Sequence, residues 1–228
     1  MDWGKDTLNL ALAMTAFALT HFVMSGFLRR SLLVALGRQF FLLLYSLVSL
    51  CLFSWGVVAF DRAPAAAALW DGSHPVAWIA GSVLSVAALA LFLPSFMGNP
   101  ALAGKKSAGV SNIIPSGVFA ITRHPMMWGI SLWAISHIIV APELRVFLFM
   151  GTLIVVALLG SYLQDRRKVS LNSREFTPWM RRTTFLPDLT KLGRIPVAWT
   201  IALIVWFLAT TVHWHFFGIP AGLWKWIG

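Results

Sequence analysis

Charged residues are scarce in this chain. Only 11% of its 228 residues are Asp, Glu, Lys or Arg, and 58% are hydrophobic. A soluble domain carries about 25% charged residues. A chain with so little polar surface cannot cover its own apolar core in water, which excludes a soluble globular protein. The composition instead indicates an integral membrane protein, and the 12 Trp residues are typical of the aromatic belts at membrane interfaces.

Several chemical signatures are also absent from the sequence. The single cysteine, Cys51, excludes an internal disulfide and a Cys-x-x-Cys-His haem attachment. There is no P-loop, no Gly-x-Gly-x-x-Gly, no Gly-x-Ser-x-Gly and no His-Glu-x-x-His, so the usual nucleotide-binding and protease motifs are missing. No apolar segment contains the paired carboxylates of a proton-driven transporter. The first 26 residues lack the basic start and cleavage site of a secretory signal, so we expect the first apolar segment to remain as a span.

Six apolar segments are long enough, or nearly so, to cross about 30 Å of hydrocarbon at 1.5 Å per residue. They cover residues 7–27, 40–60, 75–96, 125–141, 144–164 and 197–217. Pro142-Glu143 predicts a tight turn that makes the fourth and fifth segments a helical hairpin. We therefore predict an all-α polytopic bundle of about six transmembrane helices, forming one domain over residues 1–228.

The basic residues predict how this bundle is oriented. Most of the 18 Lys and Arg fall in the first, third and fifth connections, and four lie on the other side: Lys5, Arg62, Arg145 and Lys225. The positive-inside rule then places both termini outside the cytoplasm. The net charge of +10 is spread between spans rather than gathered on one folded surface, so we expect a lipid bilayer as partner and no nucleic acid.

Two polar regions interrupt the pattern on the predicted cytoplasmic side. Residues 97–124 contain Gly98-Asn-Pro100 and Pro115-Ser-Gly117, which predict irregular backbone. Residues 165–196 are strongly basic. They are interpreted either as a solvated face attracted to anionic lipid or as a segment that closes over a cofactor.

Histidine and arginine at the membrane boundary mark a candidate site. His21 is expected roughly 9 Å inside the first span and His124 at the entrance of the fourth, whereas His137 lies about 20 Å further towards the outside. Two histidines on facing helices can clamp a haem iron, or each can simply bond a carbonyl in a core. His137 and His213 share an outer layer, and His213 and His215 are interpreted as interfacial residues beside Trp214.

Two charged residues accompany His124. The planar guanidinium of Arg123 suits a propionate, a phosphate or a carboxylate, with snorkelling to the cytoplasm as the alternative. Asp165 ends the fifth segment and is predicted either to orient a histidine or arginine of the site or to pair with its own basic neighbours, Arg166, Arg167 and Lys168.

The chain resembles the NnrU family of bacterial inner-membrane proteins. The resemblance is carried by stretches along nearly the whole chain: His21-Phe-Val-Met-Ser-Gly26, Leu28-Arg-Arg30, Gly37 to Ser49, Gly117-Val-Phe-Ala-Ile-Thr-Arg-His-Pro125, Trp133-Ala-Ile-Ser-His137, Asp165-Arg-Arg-Lys168 and Trp179. It implies a multi-pass protein of the bacterial inner membrane that is linked to denitrification and nitric oxide. The family is also similar to plant zeta-carotene isomerase, a membrane haem b protein.

That second likeness implies a haem b site and a haem-dependent isomerase acting on a lipophilic small molecule. The matching histidines here are His21 and His124 as iron ligands and His137 as substitute ligand, with Arg123 pairing a propionate and Asp165 supporting the ligands. Arg123 and Asp165 are the residues we expect in any catalysis.

Two alternatives remain open. The Arg-His-Pro stretch is distantly similar to isoprenylcysteine carboxyl methyltransferases, which implies S-adenosylmethionine near Arg123, His124 and Asp165. Those enzymes have a glutamate and tyrosines where this chain has Asp165 and Phe176-Thr-Pro-Trp179, and that difference puts methyl transfer in doubt. The other alternative is a non-catalytic membrane partner of a denitrification complex.

Overall fold

The computed structural model describes residues 4–98 and 109–227. Within those ranges the chain is helical and contains no strand. The helices are α1 Lys5–Ser25, α2 Arg29–Arg62, α3 Pro75–Phe92, α4 Val118–Ile121, α5 Pro125–Val140, α6 Leu144–Leu171, α7 Ser173–Arg182, α8 Pro196–Phe217 and α9 Trp224–Ile227. Three short 3₁₀ turns lie at Leu93–Phe96, Val110–Asn112 and Leu189–Arg194. The predicted all-α membrane bundle is thereby confirmed.

Five helices of the described chain are long and apolar enough to cross a membrane. They are α1, α2, α3 with its terminal 3₁₀ turn, α6 and α8. The sixth predicted span, α5, has 16 residues and falls short of that length. The predicted segments all coincide with helices, while the count of six and the outside position of the termini stay predictions.

The helices pack in the order α2–α1–α6–α5–α3–α8, in which each has its main contacts with its neighbours in that series. We call the end that holds Ser25, Arg29, Pro125 and Leu171 the basic end, because most of the Lys and Arg lie there. The other end, which holds Arg62, Pro75, Val140 and Phe217, is called the opposite end. One apolar core lies between α1, α2, α5 and α6, and a second lies between α3, α7, α8 and the start of α5.

Glycine allows α3 and α5 to approach closely. A Cβ on Gly129 would lie 2.8 Å from the carbonyl oxygen of Ala88 and from the Cβ of Phe92. A Cβ on Gly81 would lie 2.7 Å from a methyl group of Val140. Small residues at such contacts let the backbones of transmembrane helices approach closely, and the close approach increases their van der Waals packing. The backbones of α3 and α5 are thus in close contact, which holds the start of α5 against the bundle.

A sharp kink divides α2 at Gly37, whose φ of 72° and ψ of 167° are not helical. Only glycine adopts this region readily, because any Cβ would clash with the backbone. The predicted span began at residue 40, just beyond the kink. The structure adds the helical stretch from Arg29 to the kink, which hydropathy alone assigned to a connection.

The two polar regions differ in regularity. The described part of residues 97–124 is irregular apart from α4 and the turn at Val110–Asn112, while Asn99, Pro100, Lys105 and Lys106 lie outside the described residues. Residues 165–196, expected to be a connection, instead extend α6 to Leu171 and form α7. A prediction from hydropathy ends a span where charged residues begin. Lys and Arg have high helix propensity, so α6 continues beyond the apolar segment.

Candidate functional site

Arg123, His124 and Asp165 form one polar cluster at the basic end. The Nε of Arg123 donates to Oδ2 of Asp165 at 2.6 Å, and Nε2 of His124 donates to Oδ1 of the same carboxylate at 2.8 Å. The carboxylate is therefore shared by two donors. We call these residues the inner triad. The structure brings together three of the five residues predicted for the site.

The helical hairpin explains why these residues meet. His124 is the N-cap of α5, and Pro125 occupies the first helical position, where its missing N–H costs nothing. Asp165 lies near the end of α6, which runs antiparallel to α5 after a turn at residues 141–143. The start of one helix therefore faces the end of the other. The extension of α6 beyond residue 164 is what brings the carboxylate to His124.

A segment of residues 183–188 covers the triad, and we call it the closing segment. The backbone N–H of Arg123 donates to the carbonyl of Thr184 at 2.9 Å, and its Nη1 donates to the carbonyl of Thr183 at 3.3 Å. The indole of Trp128 donates to the carbonyl of Phe185 at 2.8 Å. The closing segment therefore packs over the triad, and the interpretation that the basic region closes over a cofactor stays a prediction.

The phenyl ring of Phe185 completes the cover. It lies 5.6 Å from the imidazole of His124 and 5.4 Å from the guanidinium carbon of Arg123, a cation–π contact. Both His124 and Asp165 are buried, with 5% and 7% of their surface exposed. The triad is thus a closed, mutually satisfied unit. It compensates an arginine charge near the membrane and leaves little polar surface for a ligand.

His21 lies apart from this cluster, on α1. Its Nδ1 is 3.5 Å from the hydroxyl of Ser49, and its ring contacts Phe17 and Tyr45 at centroid distances of 4.9 and 5.1 Å. Its Nε2 has no hydrogen bond within the described chain. α1 packs mainly on α2 and α6, whereas α5 packs mainly on α3 and α6. Among described contacts, the imidazoles of His21 and His124 do not touch.

His137 lies at the opposite end and lines a cavity of about 480 Å³ between α3, α5, α6 and α8. Its Nδ1 donates to the carbonyl of Trp133 at 2.8 Å. His213 lines the same cavity, and its Nδ1 donates to the carbonyl of Ala209 at 2.8 Å. A neutral imidazole that donates through Nδ1 carries its free lone pair on Nε2. Both residues line the same cavity, and neither Nε2 has a hydrogen bond among the described residues.

His213 is not among the residues predicted for the site, because a histidine next to Trp214 is typical of a membrane interface. The sequence signal that points to it is the outer layer that it shares with His137. His215 contacts the ring of Trp224, and His74 caps α3 by accepting from the N–H of Val76. Neither of these last two joins the cavity or the triad.

Two carboxylates outside the spans, those of Glu175 and Asp188, also have partners. The carboxylate of Glu175 accepts from the backbone N–H of Ser111 at 3.0 Å. Hydrogen bonds from Ser111 lower the pKa of the Glu175 carboxyl. This contact ties α7 to the turn at Val110–Asn112. Asp188 accepts from Thr190 and pairs with Lys191, and its pKa is lowered by the Thr190 hydrogen bond first of all.

Comparison with known proteins gives one match. A family model described as NnrU protein matches residues 9–221 of the chain. No curated protein and no solved structure matches it. The match covers the spans, the inner triad and both cavity histidines.

Proposed function

We propose, given that this chain belongs to the NnrU family, that the protein binds a lipophilic small molecule in the cavity at the opposite end. The observation that carries the proposal is the pair of imidazoles, His137 and His213, which line one cavity and whose Nε2 atoms have no hydrogen-bond partner among the described residues. Sites for small molecules have volumes of roughly 300–1,000 Å³ and are mostly apolar with a few placed polar groups. The cavity has both properties.

The walls of the cavity suit an apolar ligand with a polar end. Trp78, Trp133 and Trp206 supply flat apolar surface. Ser85 and Ser136, which also line it, donate and accept within their own pair at 2.9 Å, so they present a satisfied polar surface. The lining also includes the Glu143–Arg145 ion pair and Thr210. In this proposal the histidines are the groups that accept a hydrogen bond from the ligand or bind a metal.

Haem b is the cofactor that the resemblance implies, and the pair first expected to bind it does not fit. An iron ligand needs an unprotonated ring nitrogen. The Nε2 of His124 donates to Asp165, which leaves Nδ1 as the one nitrogen with a free lone pair, in a ring that is only 5% exposed. His21 offers a free Nε2 but lies away from His124. A haem held between these two residues is therefore not supported by their contacts.

The donor set at the opposite end fits haem better. Histidines that bind metals commonly donate their other N–H to a backbone carbonyl, as both His137 and His213 do. In this proposal His137, first expected as a substitute ligand, and His213 would hold the iron. Bound haem would supply redox-dependent ligand exchange, the chemistry suggested for a haem-dependent isomerase. The link to denitrification and nitric oxide in a bacterial inner membrane is part of the same proposal.

The visible spectrum of the protein purified in detergent, with and without added haem b, tests this assignment. We expect a Soret band that is lost in His137→Ala and His213→Ala but retained in His215→Ala, a matched control on the same helix. Loss in His21→Ala or His124→Ala with retention in the cavity variants would instead support the pair expected from the sequence.

A protein that gives no Soret band would exclude haem without excluding the lipophilic ligand. Because Trp133 and Trp206 line the cavity, an apolar ligand should quench their fluorescence. Titration with a lipophilic probe should therefore show saturable quenching that weakens in a Ser136→Trp variant, in which the indole occupies the cavity. Quenching that is unsaturable and equal in both proteins would refute the cavity as a binding site.

Methyl transfer is a second candidate, favoured by the convergence of Arg123, His124 and Asp165 at the basic end. It requires S-adenosylmethionine to bind there, which calorimetry on the purified protein would detect. We expect no binding, because the triad is closed by residues 183–188. If the protein binds neither haem, nor S-adenosylmethionine, nor a lipophilic ligand, the remaining proposal is a non-catalytic partner of a denitrification complex.

A further inference from the structure

Two arginines from different helices converge at the basic end, away from the inner triad. Arg29 begins α2, and Arg167 lies in the last turns of α6. The guanidinium of Arg167 donates to the carbonyl of Ser25, the last residue of α1. Arg29 follows Ser25 across the tight turn that joins α1 to α2. Both arginines are half-buried, and their positive charges interact.

An aromatic surface lies beneath them. The guanidinium carbon of Arg29 is 5.1 Å from the ring centroid of Phe41, and that ring is 6.0 Å from the ring of Tyr45. Tyr45 interacts electrostatically with both Arg29 and Arg167. Its hydroxyl makes no hydrogen bond within the described chain. Arg29, Arg167 and Tyr45 therefore lie near enough to one another to interact electrostatically, and each has hydrogen-bond donors without a partner among the described residues.

No carboxylate of the described chain balances these charges. At the basic end, Asp165 is engaged by the inner triad, Glu175 by the backbone of residue 111 and Asp188 by its own turn. None of them pairs with Arg29 or Arg167. Two like charges held close together repel each other, and the repulsion is relieved when an anion binds between them.

We propose that Arg29, Arg167 and Tyr45 bind a phosphate oxyanion at the basic end. The planar guanidinium fork matches the geometry of phosphate oxygens and forms short charge-assisted hydrogen bonds with them. A tyrosine hydroxyl adds a neutral donor. The phosphate belongs either to the head group of an anionic lipid or to a free phosphate-bearing solute, and both present the same chemistry to this site. This site is separate from the cavity of the proposed function and does not depend on it.

The full chain in a neutral detergent allows the test. Thermal unfolding, followed by tryptophan fluorescence, is recorded during titration with short-chain phosphatidylglycerol, with phosphatidylcholine and with inorganic phosphate. The variant Arg29→Gln is compared with Arg30→Gln, which removes the same charge from the exposed neighbouring residue. Arg167→Gln and its exposed neighbour Arg166→Gln repeat the comparison on α6.

We expect the ligand to raise the unfolding temperature of the parent. Losing a hydrogen bond to a charged group should weaken binding about tenfold in Arg29→Gln and Arg167→Gln, and Arg30→Gln and Arg166→Gln should match the parent. A response to phosphatidylglycerol alone assigns the phosphate to a lipid, and a response to inorganic phosphate assigns it to a solute. The proposal would be overturned by no response to either ligand or by equal responses to phosphatidylcholine and phosphatidylglycerol. It would also be overturned if binding weakened equally in the two variants of each pair.

Discussion

Replacing Asp165 by asparagine probes the inner triad without changing its volume. The carboxylate accepts from Arg123 at 2.6 Å and from His124 at 2.8 Å. The amide of asparagine has one oxygen, so it can accept from only one of these donors, and its NH₂ group faces the other. The variant loses one charge-assisted hydrogen bond and leaves the Arg123 charge, whose side chain is 12% exposed, without a counterion.

The expected magnitude follows from that burial. Removing one partner of a buried ion pair costs about 3–5 kcal/mol, since the remaining charge has lost its compensation. For a chain of this size the loss corresponds to a fall of roughly 6–20 °C in unfolding temperature. Glu143→Gln is the matched control because the Glu143–Arg145 pair is more exposed and is worth at most about 1 kcal/mol.

Thermal unfolding in detergent, read by tryptophan fluorescence, measures both variants. The double variant Arg123→Gln with Asp165→Asn should be more stable than Asp165→Asn alone, because it no longer buries an unpaired charge. An Asp165→Asn protein within about 2 °C of the parent, or no more affected than Glu143→Gln, would refute the idea that this carboxylate compensates a buried arginine.

Two glycine positions give further predictions for the same unfolding assay. Gly37→Ala should destabilise the protein by about 1–3 kcal/mol, because residue 37 has a positive φ. Its control, Gly160→Ala, lies in open space within α6 and should be neutral or slightly stabilising. Equal effects of the two substitutions would contradict the non-helical backbone at Gly37. Gly129→Val should lose about 1–3 kcal/mol or more, because its Cβ meets the backbone of α3, and Gly151→Val, which has no neighbour within 4 Å, should not; an unaffected Gly129→Val protein would show that α3 and α5 can separate at little cost.

Much of the fold was predictable because a bilayer imposes a simple length requirement. Apolar segments of about 20 residues are helices whatever their neighbours are. Hydropathy misplaces a helix boundary where the helix extends beyond its apolar segment, as α6 does after residue 164 and α2 does before residue 40. Charge marks the edge of the hydrocarbon, whereas backbone hydrogen bonding decides where a helix ends.

The inner triad was partly predictable for a related reason. A tight turn at residues 141–143 places the start of α5 opposite the end of α6, so His124 and Asp165 meet by hairpin register. The closing segment was not predictable in its contacts, because it binds mainly through backbone carbonyls that every residue possesses. The pairing of His21 with His124 by equal depth stays a prediction, since depth says nothing about which side of a helix a residue occupies.

The division of polar groups between the two ends of the bundle explains why the cavity, rather than the triad, is the better candidate for ligand binding. In the inner triad, Nε and Nη1 of Arg123 and Nε2 of His124 meet acceptors within the protein, so a ligand that binds these groups would have to displace hydrogen bonds to charged groups worth about 1.5–3 kcal/mol each. At the opposite end, His137 and His213 line an existing cavity, and their Nε2 atoms have no hydrogen-bond partner among the described residues. A ligand there gains a polar contact and displaces no protein hydrogen bond. Polar groups inside a membrane are retained where they are paired or where they serve binding. The inner triad is the first case, and we propose the cavity histidines as the second.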